Sequence, residues 1–379
     1  MSSASDVVAA EIRRLGPLPF SEVMRLALYD PDHGFYSAGG HAGRRGDFIT
    51  SPEVGPLFGA VIARYLDARW RELGSPASFL VVEVGAGVGT LARTVLAAAP
   101  DCLAALTYVL VEQSEALRAR HGEHLPMSEP AFAFAPVDAD GLPLVADAED
   151  RGPVFVSLAE RPAAPICGVV LANELLDNLP FDQLAFVDGG WREVRVALGP
   201  DDATLVELLT PAAPEDAAWA PRVAPGAGEG ARLPRQRAAV DWVRDVLGQI
   251  ERGALLVLDY ADDSATLASR PPAEWIRTYR EHERGVAPLL ELGRQDITVE
   301  VALDQVTAAH PATTRWTQAA FLQAHGIDAL VEEGRRIWHE RAAIGDLASM
   351  KARSRIREAE ALLDPAGLGA FHVLEWRRP

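Results

Sequence analysis

Apolar residues along this chain fall into two periods. Short unbroken runs at Phe79–Val84, Tyr108–Val111, Val154–Leu158, Cys167–Ala172 and Gly253–Leu258 predict strands buried on both faces of a parallel sheet. Helical spacing fills the intervals. It covers residues 5–15, then 20–29 with Val23, Met24, Ala27 and Leu28 inward. A helix from Ser51 to about Leu73 has Leu57, Val61, Ile62, Tyr65 and Leu66 on one face. Further helices are predicted over 235–251, 273–284, 317–325 and 328–362, the last interrupted by Gly334 and Gly345, and another near Leu303 is introduced by Gln295–Thr298. Residues 182–210 instead alternate as short antiparallel strands with turns at Gly189-Gly190 and Gly199-Pro200. Residues 126–152 and 211–234 read as loop and linker, and Ala370–Trp376 as a final strand. The pattern is α/β, with a β insertion that breaks the alternation of strand and helix.

The Phe79–Val84 run breaks into Gly85, Gly87 and Gly89 and resumes as a helix from about Thr90. Glycines there let the backbone turn sharply and approach a ligand where a Cβ would collide. The helix start aims its unpaired N–H groups at the same place. A dinucleotide loop needs a third glycine where Thr90 stands, so that class is disfavoured. Glu83-x-Gly-x-Gly-x-Gly is instead the pattern of S-adenosylmethionine (SAM) sites, in which the acid lies near the methionine amino group. Glu112, ending the next strand, is positioned to accept from both ribose hydroxyls. Ala86, Thr90 and Gln113 flank these residues, and Ser157 and Leu158 fall near an adenine edge. A plain turn is the alternative reading of the glycines alone.

Asn173, Glu174 and Asp177 follow the Cys167–Ala172 strand. In open α/β sheets that is the end where ligands sit, so they are candidates for the place where substrate meets cofactor; a capped helix start is the alternative. Residues 31–49 hold five glycines around Phe35-Tyr36 and Arg44-Arg45, either a lid or a disordered excursion. Asp47, Phe48, Thr50, Ser51, Pro52 and Glu53 close that segment. Thr50 and Glu53 have capping-box spacing, so Asp47 and Glu53 serve either the ligand or the turn.

Composition narrows the partners. With 54 acidic and 36 basic residues the formal charge is −18, which argues against a nucleic-acid backbone as partner and leaves room for steering a basic substrate segment. Cys102 and Cys167 are far apart, so no disulfide scaffold or cysteine zinc site is expected and a cytoplasmic, reducing location is. His121 and His124 stand three apart without a third ligand, so no metal is expected. No signal peptide and no membrane span are expected, and an oligomer is open.

Together, Asp30–Tyr36, Gly46–Glu53, Phe58-Gly59, Glu83–Thr90, Asn173–Asp177 with Leu179-Pro180, and Gln295–Thr298 resemble the MidA family of class I SAM-dependent methyltransferases, which includes the mitochondrial complex I assembly factor. The resemblance runs from about residue 10 to the C-terminus. It implies a Rossmann-like class I methyltransferase sheet with a helical N-terminal and lid region, an inserted antiparallel β region and a helical accessory region. The corresponding segments are 1–52, 53–181, 182–234, 235–262, 263–365 and 366–379. It also implies S-adenosyl-L-methionine as cofactor, the Gly-Asp-Phe segment against that cofactor, and methylation of an arginine on a complex I subunit. Glu174 and Asp177 would grip the guanidinium, with Asp47 and Glu53 as a lid-side pair. Ala261 stands where relatives usually have Gly, and Asn178 where Ala is common. Those departures keep a small-molecule acceptor open, and a non-catalytic SAM-binding chaperone is the third reading.

Overall fold

The computed structural model describes residues 3–37, 50–134, 152–280 and 283–379. The chain forms two compact units, each assembled from three stretches: Met1–Phe48, Glu174–Asp245 and Asp259–Pro311 in the first, and Ile49–Asn173, Val246–Leu258 and Ala312–Pro379 in the second.

The second unit is built on a seven-stranded sheet. Its strands are β1 (Phe79–Val84), β2 (Leu106–Val111), β3 (Val154–Leu158), β4 (Ile166–Asn173), β5 (Ile250–Asp259), β6 (Thr314–Thr317) and β7 (His372–Arg378), in the order β6-β7-β5-β4-β1-β2-β3. β5, β4, β1, β2 and β3 run parallel, and β6 pairs β7 antiparallel. Phe79, Val81 and Val82 are fully buried, as a strand covered on both faces requires. The middle of the sheet is tight. A Cβ on Gly168 would lie 1.9 Å from the Leu80 carbonyl oxygen, and one on Gly253 would lie 1.8 Å from that of Gly168. Both glycines have φ in the left-handed half of the map (+156° and +125°), so only glycine lets these strands approach so closely.

Around the sheet, the Pro56–Glu72 helix crosses the Thr90–Ala98 helix closely enough that a Cβ on Gly59 would stand 2.0 Å from Thr94 Oγ1. Phe58, Tyr65, Tyr108, Phe155 and Phe321 fill the core. Gly334 does not interrupt a helix as its residue type suggested. It lies inside the Ile327–Arg341 helix, where a Cβ would meet the Ala352 carbonyl oxygen at 2.8 Å, and so permits the hairpin with the Leu347–Leu363 helix. Gly345 does separate the two.

The first unit carries the inserted antiparallel sheet. Gly190–Leu198 pairs with Leu18–Pro19, with Asp182–Val187 and with Leu205–Pro211, and Arg232–Arg235 lies beyond Asp182–Val187. Phe20, Met24, Phe181 and Trp275 form its main core. Two expectations change here. The stretch expected as a helix over 273–284 is one turn, Pro272–Trp275, followed by the strand Ile276–Arg280, paired antiparallel with Asp296–Val299. Ile276 and Thr278 are buried while Arg277 and Tyr279 are partly exposed, a period of two that outranked the aromatic and basic composition. Gln295–Thr298 therefore belongs largely to a strand, and the helix expected near Leu303 follows it at Leu303–Thr307. The 211–234 stretch contains the Pro214–Val223 helix, because Ala220 and Ala224 pack inward with Leu184, Trp191 and Leu233.

Candidate functional site

The donor-side residues lie in the second unit. After β1 the chain passes through Gly85, Gly87 and Gly89 at φ of +73°, +55° and +81°, then enters the Thr90–Ala98 helix. The N–H groups of Gly85 and Ala86 donate to the Val111 carbonyl, pinning the loop to the end of β2. Glu112 fixes it from the other side, its two carboxylate oxygens accepting from Gly87 N–H (3.0 Å) and Ser114 N–H (2.9 Å). A Cβ built on Gly87 meets nothing within 4 Å, so there is open space beside the loop for a ligand. Each Glu112 oxygen keeps a further lone pair for a hydroxyl. This space and the carboxylate beside it fit the nucleoside part of SAM.

Glu83, in contrast, is buried within the sheet and accepts from Tyr108 Oη at 2.7 Å. Burial pushes its carboxyl up to about 8, so a nearby cation would be needed to ionise it fully at neutral pH. His121, weighed from sequence only as half of a metal pair, proves to be a strut. Its Nε2 donates to the Gly87 carbonyl at 2.9 Å, which leaves Nδ1 to accept from Ser157 Oγ at 2.8 Å. Burial pulls its basicity down and keeps it neutral, the state this tautomer needs. Sequence spacing missed this role because the partners come from two other elements.

Other expected residues divide. Glu53 Oε1 accepts from Thr90 Oγ1 at 2.6 Å, which places it at the start of the loop's helix rather than in a capping box: Thr50 caps the Ser51–Val54 turn without a side-chain bond. Ser51 Oγ donates to Gln318, and Ser51 and Pro52 are buried in packing. Leu158 is half-buried, its carbonyl accepting from Glu112 N–H, and Gln113 is exposed. Asn173 ends β4 beside Leu258. Asp47 and Phe48 lie outside the described residues.

The first unit gathers a buried acidic cluster from four separate stretches. Glu174 is held at φ +50°, a left-handed conformation costly for a residue with a Cβ, and a 3₁₀ turn over Leu176–Asn178 follows. That turn is anchored by Asp259, whose Oδ2 accepts from Leu176 and Asp177 N–H. Tyr260 Oη donates to Asp177 Oδ2 at 2.7 Å. Asp296 Oδ1 accepts from Tyr36 Oη and from Asn178 Nδ2, each at 3.1 Å. Asp177, Asp259 and Asp296 are 4%, 2% and 0% exposed, and Asp177 Oδ1 is buried without a hydrogen-bond partner. Burial pushes Asp177 up to about 6. Burial and the Asp177 charge push Asp296 up to about 7, and burial with the charges of Asp177 and Glu174 raises Asp259 well above its ordinary value. Asp177 and Asp296 therefore titrate near neutrality, and Asp259 is held toward its protonated form. Of this cluster, only Glu174 and Asp177 were expected; Asp296, Tyr36 and Tyr260 sit in stretches whose distinctive residues were visible but whose meeting was not. Asn178, one of the two departures, ties Asp296 to the turn.

Asp30, Asp32 and His33 also bring ligand-type atoms within 4.8 Å of one another. There, however, Asp30 Oδ1 already accepts the N–H groups of Asp32 and His33, as in an ordinary turn.

A parallel sheet with a glycine loop and helix start after β1, and an acid at the end of β2, defines a SAM-dependent methyltransferase. The model of an S-adenosyl-L-methionine-dependent methyltransferase family matches residues 61–322. The chain belongs to that family, the MidA methyltransferases. It is 30% identical over 350 residues to "Protein arginine methyltransferase NDUFAF7 homolog, mitochondrial" of Drosophila melanogaster, covering 87% of this chain and 76% of that one. The human "Protein arginine methyltransferase NDUFAF7, mitochondrial" is 26% identical over 352 residues, covering 84% and 72%. Among solved structures, a COG1565 superfamily member from Burkholderia thailandensis bound to S-adenosyl-homocysteine superposes with a TM-score of 0.80 at 30% identity, covering 99% of this chain and 92% of that one.

Proposed function

We propose that this methyltransferase modifies arginine side chains of a protein, with a respiratory complex I subunit as the acceptor, and that it works in the cytoplasm. The observation that carries the arginine reading is Asp177: a buried carboxylate oxygen without a partner, beside Glu174 held in a strained backbone, suits a cationic N–H donor. The names of the relatives support the same acceptor class.

When bound, SAM supplies a methyl group already activated by its sulfonium. The chain's residues supply binding, orientation and a proton acceptor. Glu112 and the Gly85–Gly89 loop hold the nucleoside, with His121 bracing Gly87. Asp177 and Glu174 would hold the guanidinium, with Tyr260 Oη fixing one Asp177 oxygen and leaving the other without a protein partner. That oxygen receives the proton lost by the nitrogen.

Incubating the purified chain with methyl-labelled SAM and host proteins tests the reading. Label recovered as methylarginine in a protein supports it. Label confined to a small-molecule fraction establishes the second acceptor class, and no label with intact cofactor binding points to the chaperone.

A further inference from the structure

The hairpin of the Ile327–Arg341 and Leu347–Leu363 helices presents a surface that the methyltransferase reading leaves unused. Ile344, Leu347 and Met350 are 67%, 63% and 57% exposed, among the most exposed large apolar side chains of the described residues. Leu347 and Met350 are three apart and so share one side of their helix. The opposite side buries Ala352 and Ala359, and the side of Leu347 itself becomes buried further along at Glu358 and Leu362, so the apolar strip shown to water is confined to the hairpin tip, the first turn of this helix and Ile344 before it.

Cations border the strip. Lys351 lies four residues after Leu347, and Arg353 and Arg357 lie three and seven after Met350; all three are exposed. Neighbouring arginines are spoken for: Arg336 pairs with Glu340, Arg341 with Asp346 and Arg355 with Glu333. Among the described residues Lys351, Arg353 and Arg357 make no such ion pair, and Arg353 rests over the Trp338 ring at 5.1 Å. This is a concentration of unpaired positive charge in a chain of net charge −18.

We propose that this hairpin tip docks on an anionic phospholipid membrane, with Ile344, Leu347 and Met350 entering the acyl boundary and Lys351, Arg353 and Arg357 at the phosphates. Long basic side chains reach the headgroup level while their stems stay beside the apolar strip. A second copy fits less well. Three side chains fall far short of the roughly 800 Å² per partner that a stable interface takes, and a twofold pairing would set these cations against their own copies. A lipid surface needs no matching shape. No helix among the described residues is long and apolar enough to cross a membrane, so the tip lies on the surface. The remaining negative charge is repelled, which confines contact to the hairpin and makes binding weak and steeply salt-dependent.

Flotation of the full chain with vesicles of phosphatidylcholine, alone or with about one-third phosphatidylserine, tests this. The chain should float with the anionic vesicles, at least about fivefold less with the neutral ones, and be released by about 0.5 M salt. Leu347→Asp with Met350→Asp, and separately Lys351→Glu with Arg353→Glu, should each lower binding about tenfold while S-adenosyl-homocysteine affinity and thermal unfolding stay unchanged. The proposal is overturned by a wild-type chain that stays aqueous at every composition, or by variants that float equally well. A dimer in the ultracentrifuge that Leu347→Asp splits would make the face a subunit interface. Binding to polyglutamate that survives the apolar changes would make it an unselective acid-binding surface; either result also overturns the proposal.

Discussion

Gly87 and Asp177 show how much a single atom position decides. Gly87 combines φ +55° with open space where a Cβ would go, while its N–H and carbonyl are committed to Glu112 and His121. Valine there would both strain the loop and fill that space. Gly87→Val should lower S-adenosyl-homocysteine affinity by about a hundredfold or more, roughly 3 kcal/mol, without altering the circular dichroism; calorimetric titration reads the first, and unchanged affinity would remove that space as the cofactor's place. Asp177 must be ionised to accept a proton, and burial pushes it up to about 6. Turnover should therefore fall as the pH drops through about 6 and level off above it. Asp177→Asn should lower kcat/KM by about a hundredfold, erase that acid limb and leave cofactor affinity nearly unchanged. A variant that keeps both the rate and the limb would assign the proton elsewhere.

At the scale of elements, the parallel strands were legible because burial on both faces leaves no alternation to misread: Phe79–Val84 was expected with the bounds it has. Gly85 to Gly89 was legible for a different reason, since alternating glycines at a strand end have few uses other than a turn against a ligand. The Ile276–Arg280 strand was not, because its partner Asp296–Val299 comes from a later stretch and the pairing outweighs the look of the local composition. The acid cluster was half legible. Glu174 and Asp177 follow a recognisable strand, whereas Asp296 gains its place only when Tyr36 and Asn178 are folded onto it. Gly253 is the opposite case, a residue whose importance no sequence pattern announced. With backbone 1.8 Å from where its Cβ would be, Gly253→Ala should cost more than about 2 kcal/mol of stability, read as a lower urea midpoint. A midpoint equal to wild type would show that β4 and β5 can separate at no cost.

For the molecule as a whole, buried acids set how stability follows pH. Glu83, Asp177 and Asp296 are pushed up to about 8, 6 and 7, above the values of exposed carboxyls that an unfolded chain would show. Between about pH 4 and pH 8 the folded chain therefore holds protons that unfolding releases, and their contribution to stability falls as the pH rises. The net charge of −18 acts in the same direction, since self-repulsion grows as the last carboxyls ionise. Scanning calorimetry should find a higher melting temperature near about pH 5.5 than near about pH 8.5, and the reverse order would mean that these groups are ionised in the folded chain.

β7 seats itself between β6 and β5 although it is made long after β5 in the chain. During synthesis, then, β5 emerges from the ribosome with an open hydrogen-bonding edge and must wait for that late strand. Such an edge can recruit any passing extended segment. The same arrangement that completes one side of the finished sheet gives the nascent chain its most vulnerable interval, so yield should respond to growth temperature and to chaperone supply more than the stability of the purified protein would suggest.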